Sequence, residues 1–89
     1  MISATFIFKP GVYDDEFHRL DAIIMDVALN TPGYIGAERW WSEARTERSV
    51  VYYFESHEAL RAFSRDETHL EAKRLAGRWY DAYRVVISE

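Results

Sequence analysis

The sequence predicts one small α+β domain, a ferredoxin-like β-α-β-β-α-β chain with an antiparallel four-stranded sheet. Three observations carry that expectation. A chain of 89 residues can hold one core and no second domain. A hydrophobic share of 48%, with three Trp, six Tyr and five Phe, is far above what a disordered segment carries. Strand-like and helix-like apolar patterns then follow one another in the order of a split βαβ unit. No repeat, low-complexity tract or Gly/Ser linker interrupts them, so residues 1–89 should pack as a single unit.

Each element has its own warrant. Ile2 to Phe8 is a mostly apolar run closed by Lys9-Pro10-Gly11, which reads as a strand and then a turn. From Asp14 onward Phe17, Leu20, Ile23, Ile24 and Val27 recur at helical spacing, with Asp14 as the N-cap and Asp15 and Glu16 in the first turn. That helix stops near Asn30, before Thr31-Pro32-Gly33, where proline sets a corner and glycine accepts a positive φ. Tyr34–Ser42 and Arg48–Glu55 are rich in aromatic and β-branched residues, and the polar stretch between them suits a hairpin loop. Ser56 can cap a short helix bearing Ala59, Leu60 and Phe63, and Asp66 a second one running from Glu67 through Ala76, where Gly77 weakens it. The two helices read as separate or as one bent unit. Tyr80 to Ser88 closes the chain as a strand, with Tyr83, Val85, Val86 and Ile87.

A sheet of this order carries its helices on one face. Phe6-Ile7-Phe8 and Val50-Val51-Tyr52-Tyr53-Phe54 nevertheless place apolar side chains on both faces. The simplest cover for the open face is the same face of a second copy, giving a homodimer shaped like a barrel.

Composition narrows the function. With 15 acidic against 11 basic residues the formal net charge is -4, and no Lys/Arg cluster could neutralise a series of phosphates, which argues against nucleic acid. No apolar run approaches the roughly 20 residues that span a bilayer, and the start lacks the pattern of a secretion signal, so the expectation is a cytoplasmic protein with no membrane partner. Zero cysteines remove disulfides, thiolate nucleophiles and sulfur-ligated metals. Chemistry must come from His, carboxylates, Tyr, Trp or a borrowed cofactor.

The segment from Phe54 to Phe63, then His69-Leu70-Glu71-Ala72-Lys73 and the segment from Trp79 to Val85, resembles the antibiotic biosynthesis monooxygenase family. Pro32-Gly33-Tyr34-Ile35-Gly36 resembles that family's entry into its second strand. The resemblance covers essentially the whole chain and implies the dimeric α/β barrel fold. For function it implies cofactor-free quinone-forming monooxygenases, heme-degrading monooxygenases and many members of unknown role. In the heme-degrading branch the resemblance implies an Asn on the first strand, a Trp on the short helix and a His ligand on the next helix. Here the His is His69, the Trp position falls on Phe63, and the Asn position falls near Ala4.

His69 is therefore the candidate catalytic residue. At about 100° per residue it sits at the edge of the apolar arc formed by Ala72, Leu75, Ala76 and Trp79. A neutral imidazole there could take a proton from a phenolic substrate or ligate heme iron, and it could equally be a boundary histidine bonded to backbone. Trp41, Tyr52, Phe63 and Trp79 are the candidate substrate-binding residues, lining an apolar cavity for a flat aromatic ligand. Core or interface packing is the competing role for the tryptophans. His18 and His57 lack a second nitrogen ligand at helical spacing, so no metal site other than heme on His69 is expected. The functional expectation is a monooxygenase acting on a flat aromatic substrate or on heme. The alternative is a non-catalytic module of the same fold that binds a small ligand or serves in assembly.

Overall fold

A computed structural model describes residues 1–89, apart from the side chain of Thr68. The elements are β1 (Ile2–Pro10), α1 (Asp15–Asn30), β2 (Tyr34–Trp41), β3 (Arg48–Phe54), α2 (His57–Ser64), α3 (Glu67–Trp79) and β4 (Tyr80–Ser88). The four strands form one antiparallel sheet in the order β2-β3-β1-β4, which is the ferredoxin-like arrangement.

The local signals act as their chemistry requires. The Asp14 carboxylate accepts from the Phe17 N–H at 2.9 Å and starts α1. The Thr31 hydroxyl bonds the Val27 carbonyl as the helix ends, and Gly33 turns the chain at φ +89°. The Ser56 hydroxyl accepts from the Ala59 N–H and starts α2. The β2–β3 hairpin is closed by Ser42, whose hydroxyl accepts from the Thr46 and Glu47 N–H groups, and Arg45 takes a left-handed φ of 62°. The pair after β3 is two helices rather than one bent unit, and α3 runs through Gly77 to Trp79, one turn beyond the expected end at Ala76. Gly77 costs about 1 kcal/mol of helix propensity, and the buried Trp79 ring outweighs that by packing against α1.

Alternation along the strands sorts the sheet into two faces. Ile2, Ala4, Phe6 and Phe8 of β1 and Val50, Tyr52 and Phe54 of β3 face the helices and pack with Ala28, Leu60 and Phe63. A second cluster of Phe17, Leu20 and Trp79 joins α1 to α3. The opposite face carries Ile7, Tyr53 and Val86, partly or largely exposed, by the same alternation, with Val51 buried among them. On the outer strand β4, Tyr83, Val85, Val86 and Ile87 each remain nearly half exposed.

Candidate functional site

Between the helix-side face of the sheet and helices α1 and α3 lies a slot of about 350 Å³. Its floor is aromatic. Phe6 and Phe8 lie two residues apart on β1, so they share a face, and their rings are near-parallel with centroids 6.2 Å apart. Tyr80 stacks on Phe8 at 4.4 Å, and Tyr52 meets Phe6 edge-on at 5.8 Å. Ile24 of α1 and Ala72 and Ala76 of α3 form the roof, where two small side chains leave room for a ring.

His69 closes one end. The first turn of α3 carries it over Phe6 and Phe63, with ring centroids 6.1 and 4.6 Å away, and the residue is only 7% exposed. Its Nδ1 lies 3.3 Å from the Phe63 carbonyl oxygen. A carbonyl only accepts, so Nδ1 carries the proton and Nε2 keeps the free lone pair. Burial pushes the His69 pKa below the usual 6.5, and Lys73 lowers it further, against the opposing pull of the Phe63 carbonyl and Asp66. At neutral pH the ring is a neutral base.

The other end is polar. Arg48 and Asp21 line it, together with Tyr80 and Tyr83. Burial, reinforced by Tyr13 and Asp21, raises the Tyr80 pKa, so this phenol stays protonated. Tyr52 is likewise held protonated by burial.

The walls are fixed by one carboxylate. Asp14 caps α1 and also accepts from Trp79 Nε1 at 2.9 Å and from Arg78 at 3.2 Å, tying the start of α1 to the end of α3. The Phe17 N–H, and then Trp79 and Arg78, hold its carboxyl below the usual carboxylate range.

His69 and Tyr52 line the slot. Phe63 stands behind His69 in the core, and Trp79 faces the α1–α3 cluster rather than the slot. Trp41 lies on the outer strand β2, 44% exposed, with Arg45 5.9 Å from its ring, and Trp40 beside it is 51% exposed. The edge position of β2 keeps both indoles out of the interior. Phe6, Phe8, Asp21 and Arg48 are lining residues that sequence reasoning passed over. Period two did contain a signal, because Arg48 shares a strand face with Val50, Tyr52 and Phe54.

A slot of 350 Å³ is near the lower limit of the roughly 300–1,000 Å³ range of ligand sites. A slot of this volume, open along one side, suits a flat fused-ring aromatic. Among the described residues no group of three or more His, Asp or Glu gathers to hold a metal. No described helix is long and apolar enough to cross a membrane.

The family profile described as Monooxygenase af470-like matches residues 13–87. The chain belongs to that family. No curated protein matches it. Among solved structures, a variant of SnoaB, a cofactor-independent oxygenase from Streptomyces nogalater, superposes with a TM-score of 0.81 at 11% identity, covering 99% of this chain and 90% of that one. A conserved protein from Methanosarcina mazei gives 0.82 at 14% identity, covering 99% and 90%. Rv0793 from Mycobacterium tuberculosis gives 0.80 at 18% identity, covering 99% and 92%. At these identities the superpositions show a shared fold.

Proposed function

We propose that this member of the monooxygenase af470-like family oxidises a small, flat phenolic substrate in the slot without a cofactor, using His69 as the base. The observation that carries the proposal is the buried, neutral imidazole at the end of an aromatic-floored slot, with its Nδ1–H held by a carbonyl and its Nε2 free. The cofactor-independent oxygenase SnoaB, with the same fold, adds support.

The chemistry closes without an outside reductant. Nε2 takes the proton of a ring hydroxyl, and the phenolate passes one electron to O2, giving a phenoxyl radical and superoxide. The pair joins at a ring carbon to form a peroxide. That carbon then loses its hydrogen as a proton while the O–O bond breaks. One oxygen atom stays as a quinone carbonyl and the other leaves as water. The apolar walls hold the substrate in one pose and exclude solvent. Because the His69 pKa lies below 6.5, it can deprotonate only an acidic hydroxyl effectively, which favours polyhydroxylated rings or enols over simple phenols.

The same reading includes a homodimer through the open sheet face, where Val86 is exposed and Ile7 and Tyr53 are partly so.

The test is oxygen uptake with a panel of di- and trihydroxynaphthalenes, without metal or nicotinamide. Oxidation of 1,8-dihydroxynaphthalene to its hydroxyquinone should consume one O2 per quinone, place one labelled atom from 18O2 in the product, and depend on His69. Rates equal to autoxidation across the panel would refute the proposal and leave a module that binds small ligands.

A further inference from the structure

The slot has two chemically different ends, and the strand register measures their separation. Phe6, Val50 and Val85 form one cross-strand row, and His69 lies over it. Phe8, Arg48 and Tyr83 form the next row, two residues along the strands and therefore about 7 Å away.

Arg48 is partly buried at the polar end, and among the described residues no carboxylate lies within ion-pair distance of it. Its electrostatic neighbours there are phenols, chiefly Tyr13 and Tyr80. The Tyr13 hydroxyl is buried within polar reach of Arg48 and Tyr80, but neither meets strict hydrogen-bond geometry with it, so the phenol only loosely occupies the guanidinium. Buried hydroxyls are nearly always bonded, and a guanidinium withdrawn from water favours a planar anionic partner. Asp21 contributes negative charge to the lining, and Lys73 adds a second positive charge nearer His69. With His69 neutral, the lining carries a net positive charge.

We infer that the Arg48 end of the slot is an anion subsite, and that the substrate is a fused-ring aromatic bearing a carboxylate or equally acidic oxygen opposite its reacting hydroxyl. The inference rests on the slot being the substrate site and adds the substrate's charge and orientation. The acidic group docks on the guanidinium, and the two-row spacing then presents the hydroxyl to His69. Docking through the charged end also restricts the ring to one of its two end-for-end orientations.

The probes are 6-hydroxy-2-naphthoate and 2-naphthol, which share a ring system and differ in the carboxylate. Their dissociation constants are read from naphthalene fluorescence at pH 7.5, where only the first is charged. The wild-type protein should bind 6-hydroxy-2-naphthoate at least about tenfold more tightly, the scale of a charge-assisted hydrogen-bonded pair. Arg48→Gln should bring the ratio close to one while changing 2-naphthol affinity less than about twofold, and Lys73→Gln should keep most of the ratio. Equal wild-type affinities would overturn the inference without any variant. A ratio that survives Arg48→Gln, or that disappears only with Lys73→Gln, would overturn it as well. Failure of both probes to bind at millimolar concentration would instead overturn the reading of the slot as a substrate site, and the inference with it.

Discussion

Truncating Phe63 to alanine should remove a large share of the domain's stability. The ring is 0% exposed, with Phe54, Tyr52 and His69 centroids at 5.4, 5.0 and 4.6 Å. Two of those partners are held in the central strand β3, so the surroundings cannot collapse into the space left behind. A buried Phe→Ala change then costs about 3–5 kcal/mol, combining lost transfer energy with a cavity. The total stability of a chain this long is about 5–13 kcal/mol. At about 1.5 kcal/mol per M urea, the midpoint should fall by about 2–3 M, and the melting temperature by at least about 12 °C. The assay is urea unfolding followed by tryptophan fluorescence at one fixed protein concentration, since assembly would otherwise move the midpoint. Phe63→Leu, which keeps most of the volume, should cost less than about 1.5 kcal/mol. A midpoint shift below about 0.7 M for Phe63→Ala would refute the argument, because it would mean that the ring is not enclosed.

Four further outcomes follow from the same structure. The His69 pKa is lowered on folding, so below pH 6.5 the unfolded chain binds more protons. The stability associated with its neutral form is complete above about pH 6.5 and is lost as pH falls toward the folded pKa. The wild-type urea midpoint should therefore decline between about pH 6.5 and 5 more steeply than that of His69→Ala, and the acid limb of kcat/KM should have its midpoint below 6.5; parallel stability curves would exclude His69 as the titrating group. Gly33→Ala should lower stability by at least about 1 kcal/mol, because φ is +89° and the added methyl would meet the Ala59 methyl at 2.8 Å; an unchanged thermal melt would contradict this. Because the proposed chemistry needs no cofactor, titration with heme should give no stoichiometric Soret shift; a shift removed by His69→Ala would instead assign His69 as a heme ligand. Light scattering at micromolar concentration should give twice the chain mass, and Val86→Lys, which puts a charge on the open face, should halve it; a monomeric wild type would refute the covered-face argument.

Most of the fold could be read along the chain because its signals are local. Asp14 and Ser56 cap helices through their own next turn, and Gly33 turns the chain by its own φ. The order of elements then leaves few ways to close a sheet. The candidate site was legible only where one element decides it. His69 sits on the arc of α3 and lines the slot, as does Tyr52 on the inward face of β3. Trp41 and Trp79 depended on information from other elements. Strand order places β2 at the edge, and the crossing of α3 over α1 turns Trp79 toward Phe17. Arg48 and Asp21 escaped notice because a hydropathy pattern assigns charged residues to solvent, and only the assembled walls show them facing a cavity.

The central strand β1 is hydrogen-bonded on one side to β3 and on the other to β4, with Ser3 opposite both Tyr53 and Ser88. β1 is thus completed by two strands that are both made after it. During synthesis at roughly 5–20 residues per second, β1 leaves the ribosome several seconds before either partner exists. Phe6, Ile7 and Phe8 spend that interval as an unpaired apolar ribbon. Folding must also close loops spanning nearly the whole chain, which places this topology toward the slow end for its size. Until β3 and β4 have been made, the only protection those side chains have is collapse onto whatever apolar residues the nascent chain already contains.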